Sequence, residues 1–213
     1  MGNHISFEFF PTDILFVILS WIDTDKKFPL LFVSKSINSY VINEKICFSR
    51  RRHYILNDCA KLNYLGLFKW YRELNFPWNS LTCAYAAKNG YFEILKWARE
   101  NGCEWNTLTC TYAAQNGHFE ILKWAKENNC PWDSQTCFSA AQNGHFEILK
   151  WAKENGCTWD SWTCAYAASN GHFEILKWAK ENGCEWDSNT CVYAAHNEYF
   201  EILKWAKENN CPF

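Results

Sequence analysis

The sequence predicts an all-α protein, with a helical segment at its start followed by a solenoid of stacked helix pairs that lacks long β-hairpins. Two observations carry this prediction. From Asn79 to Phe213 the pattern D/N-S-x-T-C-x-Y-A-A-x-N-G-H-F-E-I-L-K-W-A-K-E-N-G-C-x-W, 27 residues long, runs five times without a gap, restarting at Asn106, Asp133, Asp160 and Asp187. A fixed period of this length marks units that cannot bury their apolar faces alone and do so by stacking. Within a unit, the apolar residues recur at helical rather than alternating spacing.

The chain divides into residues 1–45, a linker and degenerate first unit over 46–78 (the copy itself at 52–78), and five regular units over 79–213. In the first segment Pro11 suits the opening turn of a helix, where its missing N–H costs little, and Asp13 is favoured there by the helix dipole. Ile14, Leu15, Ile18 and Leu19 form an apolar stripe. Asp23-Thr24-Asp25 restarts the chain into a second helix carrying Leu30, Leu31 and Val33. About 35 residues cannot bury that much apolar surface alone, so the hairpin either packs on the repeats or meets a partner. The run Ile14–Ile22 is about half the length that spans a bilayer, so no transmembrane segment is expected. Met1-Gly2-Asn3-His4-Ile5-Ser6 fits the pattern for myristoylation at Gly2, a short motif that chance also produces.

In a regular unit, Asp133 or Ser134 caps a short helix running through Thr136 to Gln142, because a side-chain oxygen there accepts an orphan amide hydrogen. Asn143-Gly144 ends it. The next helix begins near His145, carries Phe146, Ile148, Leu149, Trp151 and Ala152 on one face, and stops at Asn155-Gly156. Constant columns, such as the pair Ala140-Ala141, read as core that lets helices approach closely. Three columns change from unit to unit: Leu81/Leu108/Gln135/Trp162/Asn189, Ala84/Thr111/Phe138/Ala165/Val192 and Lys88/Gln115/Gln142/Ser169/His196. They sit at i, i+3, i+7 on one face of the first helix. That face is either a tailored target-binding surface, with Trp162 and Phe138 as anchors, or an exposed face that has drifted. His118, His145 and His172 form a column at the turn, where regular spacing reflects stacking and not a metal site.

Of the 12 Cys, ten fall into two columns of the repeat, and equivalent residues of stacked units lie too far apart for a disulfide. The recurrent C-x6-C has neither the C-x2-C spacing nor the His partners of a zinc site. Buried reduced thiols in the cytoplasm or nucleus are expected, with no cofactor and no metal. Residues 1–78 carry 10 Lys/Arg against 7 Asp/Glu, and residues 79–213 carry 11 against 16. An acidic array does not provide the positive stripe that a nucleic acid needs. Phosphate-binding glycine loops and nucleophile motifs are lacking, so no enzyme is expected.

The stretch T-C-x-Y-A-A-x-N-G-H-F-E-I-L-K-W resembles the ankyrin repeat over about 135 residues. Leu67-Phe68-Lys69-Trp70 and Pro77-Trp78 keep its register in the degenerate copy. Cys stands at the family's usual Pro, the period is 27 in place of 33, and the linking segment Gly-Cys-x-Trp-Asp-Ser is too short for the family's projecting hairpin. The resemblance therefore implies protein recognition on the helices. Short units of this kind look like those abundant in giant DNA viruses, which implies a host-cell setting. The target-binding face would comprise Leu81, Lys88, Leu108, Gln115, Gln135, Phe138, Gln142, Trp162, Ser169, Asn189 and His196.

The first segment resembles the F-box, whose pattern it follows at Pro11, Asp13, Ile14, Leu15, Ile18, Leu19, Ser20, Asp23, Val33 and Lys35, with Phe10 in place of Leu, Ile37 in place of Trp, and Pro29 inside the second helix. F-boxes bind a Skp-family adaptor of a cullin-RING ubiquitin ligase. The resemblance implies that Pro11, Ile14, Leu15, Ile18, Leu19 and Val33 make that contact while the repeats of a monomeric chain select a target protein. The alternative is a scaffold or decoy that sequesters a cellular protein without any ligase, with residues 1–45 serving only as a cap.

Overall fold

The computed structural model describes residues 54–73 and 75–212. Gly2 and the adaptor-contact residues Pro11, Ile14, Leu15, Ile18, Leu19 and Val33 lie outside them. The chain separates into two compact units, Met1–Trp78 and Asn79–Phe213.

In the first unit, helices α1 (Ile55–Leu62) and α2 (Leu65–Glu73) form an antiparallel pair. Asn63 and Asn75 stand where the regular repeat has glycine and take up the left-handed conformation at φ 60° and 59°. Asparagine is the non-glycine residue that tolerates this region best. Arg72 covers the Trp78 ring at 4.1 Å and donates to the Phe76 carbonyl at 3.2 Å. Arg99 of the next copy does the same to Trp105 and Cys103, so residues 54–78 keep the repeat's local geometry despite a changed sequence.

The second unit holds ten helices, each nine residues long. The first helices of the five repeats are α3 (Ser80–Lys88), α5 (Thr107–Gln115), α7 (Ser134–Gln142), α9 (Ser161–Ser169) and α11 (Ser188–His196). The second helices are α4 (Phe92–Glu100), α6 (Phe119–Glu127), α8 (Phe146–Glu154), α10 (Phe173–Glu181) and α12 (Phe200–Glu208). Between the alternative caps, the structure selects Asp133, whose carboxylate accepts from the Gln135 amide at 3.0 Å, and the helix starts at Ser134. Asn79 and Asn106 cap α3 and α5 in the same way.

Successive first helices lie side by side, brought close by the fully buried columns Ala86/Ala113/Ala140/Ala167 and Ala87/Ala114/Ala141/Ala168. Second helices are bridged instead by rings. Trp151 sits edge-on to Phe119 and Trp132 of the preceding repeat, both at 5.7 Å, and Trp124, Trp178 and Trp205 repeat the arrangement. Small side chains on one side and indoles on the other curve the array, with the first helices on its inner side. Leu95, Leu122, Leu149 and Leu176 of the second helices are fully buried.

A second inter-repeat contact fixes the turns. Gly90, Gly117, Gly144 and Gly171 adopt φ between 75° and 77°, and a Cβ on Gly144 would lie 2.8 Å from the His172 ring of the next repeat. His172 donates from Nε2 to the Gln142 carbonyl at 3.1 Å, satisfying an orphan C-terminal acceptor of α7. His118 and His145 do the same for Lys88 and Gln115, so the histidine column is a stacking device. In the last repeat Glu198 replaces the glycine and is held at φ 63°.

The cysteines pair across the helix hairpin, twenty residues apart, and not across C-x6-C. Cys83 hydrogen-bonds Cys103, Cys110 bonds Cys130 and Cys164 bonds Cys184; together with burial, these contacts raise the first-helix thiols far above the ordinary thiol range. In the pair Cys137–Cys157, the Cys137 thiol donates to the partner sulfur, which raises the former and lowers the latter. Each loop thiol also donates to its own cap carbonyl, as Cys157 does to Asp133 at 3.2 Å. Cys211 at the open end is 8% exposed, with its thiol pushed up to about 12, chiefly by burial.

The turns and the thiols can each be tested. Glu198→Gly should raise stability by roughly 1 kcal/mol, the left-handed strain of about 1–2 kcal/mol less the extra freedom of glycine in the unfolded chain. Gly144→Ala should cost at least ~2 kcal/mol, because strain and the collision with His172 add. Urea midpoints followed by circular dichroism measure both. Alkylation at pH 8 read by peptide mass spectrometry should label Cys211 first among the cysteines of residues 79–213, slowly because burial raises its thiol, since it is 8% exposed where the others are exposed by 2% or less and react only after unfolding.

Candidate binding face

The first helices present a strip on the inner side of the array, and its residues divide by column. In the 81 column, Leu81 and Leu108 are half-buried, Gln135 is exposed, and Trp162 is 44% exposed. Asn189 is held back by a bond from its Nδ2 to Asp187 at 3.2 Å. The column occupies the second position of each helix, two residues after the cap. Trp162 donates its backbone amide to the Asp160 carboxylate at 3.2 Å, which roots the indole at the rim of α9.

The 88 column forms the opposite edge of the strip. Lys88 is exposed and lies 5.3 Å over the Tyr112 ring, while Gln115, Gln142 and Ser169 are half-buried and His196 is exposed. Ser169 accepts from Asn197 of the next repeat at 3.3 Å. The edge is polar and almost uncharged.

The 84 column behaves differently from the other two. Ala84, Thr111 and Ala165 are buried between neighbouring first helices, and Val192 of the fifth repeat is 49% exposed. These positions therefore serve the junction between repeats. Phe138 is too large for that seat and turns across it, meeting Tyr166 of the next repeat edge-on at 4.7 Å. Ser139, buried beside it, stands where the other repeats have tyrosine, so repeat three has moved its aromatic group by one residue.

The tyrosine column, Tyr85/Tyr112/Ser139/Tyr166/Tyr193, also contributes to the strip. Tyr85, Tyr112, Tyr166 and Tyr193 are half-buried. Tyr166 touches Trp162 at 5.8 Å and Tyr193 at 5.9 Å, so Phe138, Trp162, Tyr166 and Tyr193 form one connected aromatic platform across repeats three to five. A unit-to-unit comparison picks out the columns that vary most, and this one departs from tyrosine only at Ser139.

Charge is also divided between the two layers. The second helices carry ten Lys/Arg and ten Asp/Glu, so the whole excess of negative charge in residues 79–213 belongs to the first helices, turns and loops. The basic side chains of the second helices are applied to rings. Lys150 covers Phe146 at 3.9 Å and Lys153 covers Trp159 at 4.1 Å. Such contacts are worth about 0.5–1 kcal/mol each when exposed.

Residues 83–161 match the family profile described as Ankyrin repeats, in 3 copies. The described repeats form an all-helical solenoid of ankyrin type. The fold is similar to the crystal structure of the human ASB11 ankyrin repeat domain, with a TM-score of 0.59 at 15% identity, covering 74% of this chain and 84% of that one. No curated protein sequence matches the chain. Ankyrin repeats are protein–protein interaction modules, and helices with a protruding indole and a tyrosine-rich strip suit that role. No helix among the described residues is long and apolar enough to cross a membrane.

The two tryptophan environments generate a paired prediction. Trp162→Ala should leave helical content unchanged and shift stability by no more than about 0.5 kcal/mol, since the ring lies at the rim. Trp178→Ala, which empties a seat between Phe146 and Trp159, should cost about 3 kcal/mol. Urea titration of the two variants beside the parent chain measures the difference.

Proposed function

We propose that this chain is a non-enzymatic receptor in which the inner face of the ankyrin repeats captures a target protein while residues 9–40 hold a Skp-family adaptor of a cullin-RING ubiquitin ligase. The observation that carries the first half is the exposed Trp162 on a connected aromatic platform, set among neutral positions that differ from repeat to repeat. A large aromatic group left at a helix rim, where a small polar one would serve the fold equally well, is the chemistry of an interface anchor. The second half rests on the F-box resemblance of residues 9–40. The repeats would choose the target, and the adaptor would bring the ubiquitin-transfer machinery to it, so the chain would supply binding and no chemistry.

Co-precipitation of the whole chain with a Skp-type adaptor should succeed and should be lost in Leu15→Asp, because a charge in that apolar stripe cannot be desolvated. Target capture, in turn, should fall at least tenfold in Trp162→Ala without loss of adaptor capture. Adaptor binding that is absent, or indifferent to Leu15→Asp, rejects the ligase link and leaves a scaffold that sequesters its target. Target capture indifferent to Trp162→Ala rejects the assignment of the face.

A further inference from the structure

We infer that the partner segment recognised on repeats three to five is a basic, extended peptide with a positive side chain at every third residue, lying along the acidic rim with one cation on Trp162. This inference rests on the assignment of the inner face as the target-binding surface, and it adds the chemistry and the repeat of the ligand.

The first argument is electrostatic. Since the second helices are neutral, the excess negative charge lies elsewhere, and most of it is gathered at the N-terminal ends of the first helices: Asp133, Asp160 and Asp187 at the caps, Glu185 in the loop before Asp187 and, outside repeats three to five, Glu104 in the loop before Asn106. Asp133 and Asp160 are exposed, as are both glutamates. The helix N-termini offset about half a charge at each cap and leave the rim negative. Within repeats three to five no Lys or Arg lies on a first helix or in a loop. Lys88, the only cation of the first helices, lies two repeats away at the other edge of the strip. A partner approaching this part of the face meets a field of one sign, and a basic one is drawn in.

The second argument is the aromatic anchor within that field. Trp162 follows Asp160 by two residues and stands between the Asp133 and Asp187 caps of the neighbouring repeats. Asp187 is itself tied to this rim, accepting from the Ser161 hydroxyl at 3.0 Å and from the Asn189 side chain at 3.2 Å. An exposed indole flanked by carboxylates favours Lys or Arg, whose charge stacks on the ring while the acids offset it. Tyr166 and Tyr193 extend the platform for the stem of that side chain or for the ligand's spacer residues.

The third argument is spacing. Packed helices lie about 8–10 Å apart, so the rim carboxylates recur at that interval. A polyproline II segment rises about 3.1 Å per residue with three residues per turn, which places every third side chain on one face about 9.3 Å apart. The interval along the ligand equals the interval along the rim. A helix would bring like residues back at about 5.4 Å and would fall out of step.

The test is fluorescence anisotropy with the full chain and three labelled peptides. One has four Arg-Pro-Pro triplets, one has the same residues with the arginines in a block, and one has Glu in place of Arg. Asp133→Asn, Asp160→Asn and Asp187→Asn combined remove the charge and keep the caps, because Asn79 and Asn106 already cap α3 and α5 in this way. The spaced peptide should bind at least tenfold more tightly than the blocked one, the triple Asn variant and Trp162→Ala should each weaken it about tenfold, and added salt should weaken it further. Equal binding of the spaced and blocked peptides, preference for the Glu peptide, no binding at all, or indifference to either variant overturns the inference. Target capture separates this outcome from failure of the face itself. Capture lost in Trp162→Ala but unchanged in the triple Asn variant keeps the face and rejects the basic ligand, whereas capture unchanged in both rejects the face.

Discussion

Every junction in the array depends on seating a ring against a residue that has no side chain. At the Gly144 turn, the absence of a Cβ lets the His172 ring come within 2.8 Å of where that atom would be, and the same imidazole bonds the Gln142 carbonyl. Three requirements meet there: a left-handed turn, a satisfied helix end and a fixed distance between repeats. Substituting either partner disturbs all three together. The turn N-G-H is therefore constrained by its neighbour's geometry as well as by its own.

The second helices have their own chemical economy. Their tryptophans fill the space between repeats, their lysines and arginines lie over phenylalanine and tryptophan rings, and Lys123, Lys150 and Lys177 also pair with Glu120, Glu147 and Glu174 at 3.1–3.3 Å. Exposed pairs of this kind contribute about 0–1 kcal/mol each, so the larger effect is electrical neutrality on that side. With the outer layer neutral and occupied in packing, the net charge and the unpacked aromatic groups are found together on the inner layer. The association of acidic rim and aromatic platform is a consequence of how the other half of each repeat holds itself together.

Local features were readable from the sequence because their causes are local. Caps at Asn79, Asn106, Asp133, Asp160 and Asp187, glycine at the turns and the bounds of the nine-residue helices follow from side chains acting within a few positions. Features created by the hairpin or by stacking were not. Cys103 is seven residues from Cys110 in sequence, yet it bonds Cys83, because the two helices of its repeat run antiparallel and bring the loop back to the first of them. Likewise, residues at i, i+3, i+7 share a face of an isolated helix, but the middle column faces the neighbouring first helix, which covers Ala84, Thr111 and Ala165. A helical wheel has no knowledge of the next repeat. The tyrosines escape such a comparison for the opposite reason, since a column that changes only at Ser139 can serve packing and recognition at once.

The last repeat supplies an internal control on these assignments. Its second helix, Phe200–Glu208, has the same sequence as those of repeats two to four, yet Phe200 is 65% exposed where its equivalents are half-buried. Val192 and Ala195 become exposed in the same place, which identifies their columns as junction surface without any appeal to function. Glu198 then gains a physical explanation. A Cβ is tolerated at that turn because no imidazole is seated against it, and once present it fills the volume that a ring stacked in the same manner would need. The substitution strains the backbone at φ 63° at a turn where the other regular repeats have glycine. Gly171, one repeat earlier, still receives the Tyr199 ring at 2.6 Å from the position of its missing Cβ, which places the change at the final turn and nowhere before it.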